Sequence, residues 1–239
     1  MLSGNTFSIG SCTLVLFVLY GGFLPSQGVQ AQSLRDGTLF TGAVINLPTR
    51  LQISQRGSPD IQWTARFRTR PWKDPFYYAL KIGLQMLSGE WEIQFLHHKL
   101  YLTRLPKAVQ HFEITHGFNV LSVHKRFFIQ RTTLIAGGGM VLPHSASEIR
   151  RRKYASTGGI LNTGYRVTGP AIILGAGLQF PLRKKLHLSM ELQLLGARAT
   201  VPVYDGKAQL LHGSIHLLLG LRYVRYHPAR FKPALFEHP

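Results

Sequence analysis

From residue 60 onward apolar and polar residues alternate with a period of two, the period at which successive side chains of a β-strand point to opposite faces. In 186–194 the residues Leu186, Leu188, Met190, Leu192 and Leu194 share one face, and His187, Ser189, Glu191 and Gln193 share the other. Residues 210–223 repeat the design, with Leu211, Ile215, Leu217, Leu219 and Leu221 opposed to His212, Ser214, His216, Gly220 and Arg222. The same alternation marks 172–180, 61–68 and 80–86. Three further segments are less regular. Residues 90–103 start in phase and slip near Leu96-His97-His98, which predicts a β-bulge. Residues 109–123 alternate Phe112, Ile114, Phe118 and Val120 against Glu113, Thr115, Gly117 and Asn119, and 132–142 are glycine-rich. Together these predict eight strands.

The spacing of the strands predicts how they connect. Ser88-Gly89, residues 124–131 and residues 182–185 read as compact turns, whereas 143–168 is one long loop. Up-and-down pairing puts the three turns at one end and the long loop at the other. Residues 38–55 carry further strand-like text, either an extra hairpin, making ten strands, or a lead-in.

Alternation alone does not separate a barrel in lipid from a soluble one, because both have one apolar and one polar face. Three features favour apolar-out. The apolar face carries large residues on nearly every strand, more volume than a narrow eight-stranded interior holds. Glycines 83, 117, 175, 177 and 220 fall on the polar face, where a crowded interior needs room. Aromatics gather near predicted strand ends, with Trp91, Phe127, Phe128, Phe180 and Tyr223 at the turns and Phe67, Tyr77, Tyr101 and Tyr204 at the loops, as interfacial girdles do. The expected fold is all-β, an up-and-down antiparallel transmembrane β-barrel.

This pattern resembles that of the small, eight-stranded bacterial outer-membrane β-barrel proteins over about residues 60–225. Gly220 and Tyr223 partly match that class's C-terminal assembly signal, although such proteins usually end on an aromatic and this chain runs on to Pro239. The resemblance implies insertion by barrel-assembly machinery, contact with outer-membrane lipid and lipopolysaccharide, and no cofactor.

The N-terminal text agrees with export. Residues 12–24 form a short apolar run, and Val29-Gln30-Ala31 fits a small-x-small cleavage site, although no Lys or Arg precedes the run. The chain therefore divides into a signal peptide (1–31), a lead-in or extra hairpin (32–59), a barrel (60–225) and a tail (226–239). Cleavage after Ala31 would remove Cys12, the sole cysteine, leaving no disulfide and no thiolate chemistry. Among the 239 residues, 28 Lys and Arg against 10 Asp and Glu give a formal charge of +18. A balance this basic calls for a polyanionic neighbour. For an exported barrel that neighbour is lipid phosphate, not nucleic acid.

Four groups of residues carry candidate chemistry. Arg66, Arg68, Lys81, Glu92, Glu113, Glu191 and Arg222 read as inward-facing charges that must pair or meet water. His212 and Ser214, two apart on one strand face, resemble the His-x-Ser element of outer-membrane lipid A deacylases. The resemblance implies a hydrolase, but the acid that family carries shortly afterwards is absent. His97, His98, His111 and His116 fall on different faces, and no metal site is expected. Arg150, Arg151, Arg152 and Lys153 in the long loop suit lipid phosphate, joined by Arg70, Lys73, Arg104, Lys107 and Lys207.

Asp205-Gly206 is the strongest hairpin signal. As a two-residue turn it makes paired residue numbers sum to 411 and brings Glu191 toward Arg222. Three readings of the whole follow: a structural or weakly permeable barrel with a basic outer surface, a lipid A-modifying hydrolase using His212 and Ser214, and a soluble exported barrel holding an apolar ligand.

Overall fold

The computed structural model describes residues 34–72, 76–114, 117–129 and 132–225. Its first seven strands are β1 (Leu34–Asn46), β2 (Thr49–Gln55), β3 (Ile61–Ala65), β4 (Phe67–Arg68), β5 (Tyr78–Met86), β6 (Gly89–His97) and β7 (Leu100–Leu102). After them come β8 (Val109–Ile114), β9 (Phe118–Ile129), β10 (Thr132–Pro143), β11 (Ala146–Ile149) and β12 (Arg152–Ala155). The last three, β13 (Gly169–Arg183), β14 (Leu186–Val203) and β15 (Gly206–Val224), are the longest.

Eight strands form the wall, in the order β1-β5-β6-β9-β10-β13-β14-β15. β15 returns to β1 through eleven pairs, from Asp36↔Val224 to Asn46↔Ser214, which closes the barrel. Closure leaves the wall no free edge on that side, as a sheet in hydrocarbon requires. At one end, where β1 begins and β15 finishes, the connections are short: β5 to β6 turns at Leu87-Ser88, and Ile129 pairs directly with Thr132. At the other end three connections are long and build structure of their own, while β14 and β15 run on together to a two-residue turn. There β2 and β3 continue the sheet outward from β15, and β12-β11-β8-β7-β4 form a second, five-stranded sheet.

Side-chain polarity inverts along the wall. On β14 the inward positions Ser189 and Gln193 are buried and polar, but further out Leu195, Ala197, Ala199, Val201 and Val203 are buried and apolar. β15 runs the same way, from Arg222, His216, Ser214 and His212 to Leu210 and Ala208. The outer face does the reverse. Met190, Leu192, Leu194, Leu217, Leu219 and Leu221 are exposed, Leu192 at 49%. Beyond them the outward residues become Arg198, Lys207 and Gln209. With Leu39, Leu80, Ile172, Leu174 and Leu134 exposed on the other strands, the apolar belt encircles the barrel. Soluble monomers rarely expose a contiguous apolar patch beyond a few hundred Å². The wall therefore spans hydrocarbon, and above it the molecule is built like an ordinary globular domain, dry inside and polar outside. A soluble barrel with an apolar interior does not fit this arrangement.

Several expectations are corrected. The wall starts at Leu34, not at residue 60, so 34–46 is its first strand and neither a lead-in nor part of an extra hairpin. Its outer face carries Gly37, Thr41 and Ala43 beside Leu39, too weak an apolar signal to stand out. Residues 61–68 lie outside the wall, on β3 and β4. The slip near His97-His98 is a change of sheet, from β6 to β7, and not a bulge. Residues 109–123 divide between the sheets, and 124–129 continue β9, with His124 and Arg126 turned inward. Phe67 and Tyr77 are buried and take no part in an outer girdle. Residues 1–33 and 226–239, and with them the expected signal peptide and the whole of the expected tail, lie outside the described residues.

The β14–β15 register also differs. Val203 pairs with Gly206 and Ser189 with Gly220, so paired numbers sum to 409, and the turn is Tyr204-Asp205. Only Asp205 of these two has a positive φ, 50°. Gly206 is a strand residue beside Gln55 of β2, and a Cβ there would collide with the Ser54 carbonyl. Its glycine answers a close approach of chains, not a turn.

If the belt is in lipid, Leu217→Arg should impair membrane assembly, since a midplane Arg costs about 2–4 kcal/mol. Gln209→Arg, on the same outer face of β15 but past the belt, should be tolerated. Fractionation of the two variants checks this, and equal behaviour would move the belt.

Candidate functional site

The interior has two polar levels. The lower is a lattice of charge. Asp36 on β1 accepts both terminal nitrogens of Arg126 (2.8 and 3.0 Å) and a third hydrogen bond from Arg222 (2.6 Å). Arg126 also donates through Nε to Glu92 (2.7 Å). The other Glu92 oxygen meets Lys81 (2.7 Å) and His124 Nδ1 (3.0 Å). Lys81 continues to Glu191 (2.5 Å), which accepts from Gln193, and Gln193 donates on to Gln94 (2.8 Å). Three carboxylates thus meet three cations, with no net charge before His124 is counted. Gly83 makes room, since a Cβ there would run into Asp36 and Arg126. The remaining cavity among these groups is about 20 Å³, room for roughly one water. Burying such charges is costly, and only complete pairing offsets the cost.

The upper level is a histidine cluster. Tyr77 Oη lies 2.8 Å from His216 Nδ1, and Ser214 Oγ lies 2.7 Å from His216 Nε2. His98 packs edge-on to His216, with ring centroids 5.1 Å apart, and lies 5.6 Å from His212. Thr49 reaches His212 Nδ1 at 3.3 Å, and Thr69 reaches His98 Nε2 at 2.9 Å. His98 lies between β6 and β7, outside the wall strands. Burial, then the neighbouring His216, His212 and His97, hold its pKa well below the ordinary histidine value and keep it neutral.

The expected site residues separate under this geometry. Lys81, Glu92 and Glu191 come together, but Arg222 pairs with Asp36 instead of Glu191. Arg66, Arg68 and Glu113 are not inside the barrel: the two arginines are exposed beside β4, and Glu113 sits on β8 near His111. Ser214 bonds His216, not His212, and all three are buried in the bore, away from the lipid-facing surface. A nucleophile needs its base within hydrogen-bond reach and its substrate at the same place. Here the first condition is met by a different histidine and the second is not. His97 faces out of β6, its Nδ1 2.7 Å from Asn119 Oδ1, while His98 faces in and His111 lies on β8. No group of His, Cys, Asp or Glu among the described residues is placed to hold a metal ion; His116 lies outside them.

In the basic loop, Arg150 and Arg151 form the β11–β12 turn, both with positive φ (51° and 62°). Arg150 donates to Gln55 Oε1 and to the Pro59 carbonyl, each at 2.6 Å, which ties this hairpin to β2–β3. Arg152 stacks 5.3 Å over the Tyr204 ring. Arg151, Arg152 and Lys153 are exposed.

Alternation in 34–46 and 118–129 was the available signal for Asp36, His124 and Arg126, which the sequence reading missed. The Tyr77–His216 contact joins residues 139 apart and has no local signature.

The fold is that of the small outer-membrane β-barrels: closed, eight-stranded, antiparallel and apolar outside. No protein-family model and no curated protein sequence matches the chain. Among solved structures, Neisserial surface protein A is similar at 11% identity and TM-score 0.42, covering 81% of this chain and 99% of that one. Outer membrane protein AlkL gives 13% and 0.43, over 88% and 99% of the two chains. Ail, the attachment invasion locus protein of Yersinia pestis, gives 12% and 0.37, over 80% and 100%.

Removing Asp36 leaves Arg126 and Arg222 buried without their carboxylate. Asp36→Asn should therefore lower stability by about 3–5 kcal/mol. Arg104→Gln, on the exposed far end, should stay within roughly 0.5 kcal/mol. Urea unfolding in detergent micelles measures both.

Proposed function

We propose that the protein is exported to the outer membrane as a structural barrel, closed to solutes, whose basic outer end engages lipopolysaccharide phosphates. The balanced charge lattice carries this reading. A conducting bore needs a continuous water path, and here three acids and three bases cross-link six wall strands and leave about 20 Å³ between them. Globular packing above the lattice adds a second closure, with Phe112, Ile114, Phe118 and Ile149 buried beneath the far-end sheet.

Export rests on the apolar run at 12–24 and the Ala31 site. The orientation follows from connection length, since short turns belong on the periplasmic side and long loops outside. The formal charge of +18 then meets a surface rich in phosphate. Exposed Arg151, Arg152 and Lys153 supply planar and point-charge donors suited to it. Arg150 contributes differently, by holding its hairpin against β2–β3. The hydrolase reading is less favoured, because Ser214 opens onto neither lipid nor water.

Two measurements test the proposal. In planar bilayers the protein should show no conductance steps, and regular steps would contradict a closed bore. Arg151→Ser, Arg152→Ser and Lys153→Ser together should preserve folding yet weaken binding to vesicles containing lipid A, with a flatter dependence on salt. Unchanged binding at low ionic strength would make the loop a merely solvated one.

A further inference from the structure

The wall has a seam. β1 pairs with β15 along residues 36–46, but with β5 only from Leu34↔Leu84 to Phe40↔Ala79. On the β5 side, residues 41–46 have no strand partner among the described residues. The seam is pinned at both ends by side chains. Thr41 donates to the Tyr77 carbonyl at 3.2 Å, and Asn46 Nδ2 donates to Thr69 Oγ1 at 3.0 Å.

At the upper end of the seam lies a pocket of about 400 Å³, within the size range of small-molecule sites. Val44, Ile45, Pro48 and Phe67 give it apolar walls, and Arg66 and Arg68 stand at it with no carboxylate among its lining residues. Neither guanidinium has a hydrogen-bond or ion-pair partner among the described residues. The pocket opens at the level of the lipid belt, because Ile45 is 65% exposed and pairs with Ile215. Its inner wall is polar and connected, since Thr69 also bonds His98 of the histidine cluster.

We propose that this seam binds an anionic amphiphile from the outer leaflet, its acyl chain against Val44, Ile45 and Pro48 and its carboxylate or phosphate between Arg66 and Arg68. The assignment rests on the membrane reading above. Two arginines with no acid beside them among the described residues select a negative head, and planar guanidinium donors suit carboxylate and phosphate alike. The apolar walls and their continuity with the belt select a chain that is already in lipid. The site is distinct from the Arg151–Arg152–Lys153 surface, whose residues do not line this pocket.

Full-length protein reconstituted in phosphatidylcholine vesicles, probed by electron spin resonance, tests the assignment. Spin-labelled stearate, phosphatidate and phosphatidylcholine serve as probes. Wild-type protein should immobilise at least one anionic probe severalfold more than phosphatidylcholine, with stearate or phosphatidate identifying the preferred head. The preference should fall with added salt, vanish in Arg66→Gln/Arg68→Gln and survive in Arg56→Gln, an exposed arginine outside the pocket. No anionic preference in wild type, or an undiminished one in the double variant, would overturn the site. Failure to co-float with vesicles, or gel migration that heat does not shift, would instead overturn the membrane reading beneath it.

Discussion

A chain that turns leucine toward hydrocarbon must put its polar groups in the bore, and an eight-stranded bore is too narrow to leave them hydrated. Every charge placed there needs a protein partner. The lattice of Asp36, Lys81, Glu92, Arg126, Glu191 and Arg222 meets that requirement, with acids and bases equal in number. Its members come from β1, β5, β6, β9, β14 and β15, so it also fixes how distant strands meet. Such a lattice contributes little net stability over an apolar filling, yet breaking any one member leaves a charge stranded.

The same requirement lapses where lipid ends. From Leu195 outward on β14, and from Leu210 outward on β15, the bore is filled with aliphatic side chains, and the outer face turns basic. The histidine cluster sits at this change of solvent, where polar rings bridge a charged layer and a dry one. The far-end sheet closes the dry layer. The seam beside β1 is the one interruption described in this scheme, and its arginines lie outside the bore where the lattice has no hold on them.

Much of the wall was legible because alternation of large residues leaves few alternatives: 172–180, 186–194 and 210–223 read directly as strands with the correct face outward. What escaped had physical causes. β1 hides because Gly37, Thr41 and Ala43 dilute its outer face. The inner half of β9 read as a turn because His124 and Arg126, which serve the lattice, look like solvent-facing residues. Residues 61–68 alternate as well as any wall strand, but their pattern answers the globular layer, and period two does not say which sheet a strand joins. Gly206 read as a turn residue, whereas the constraint on it comes from β2, about 150 residues away in sequence, in a close approach that only packing reveals. Of the candidate site, Lys81, Glu92, Glu191 and Arg222 were readable as inward-facing, whereas Asp36 and Arg126 were not. The turn sits one residue earlier than Asp205-Gly206, so each β14–β15 pairing shifts by two and Arg222 meets Asp36 instead of Glu191.

The inversion of polarity along one strand is the central claim, and β14 carries it in its clearest form. Nitroxide labels placed singly at Met190, Leu192, Leu194, Arg198 and Thr200, all on its outer face, report their surroundings in vesicles through relaxation by oxygen, which favours lipid, and by a water-soluble nickel chelate. The account predicts oxygen-dominated relaxation at the first three positions and a switch to nickel-dominated relaxation at Arg198 and Thr200. Nickel access at Met190, Leu192 and Leu194 would contradict it, since those side chains would then face water.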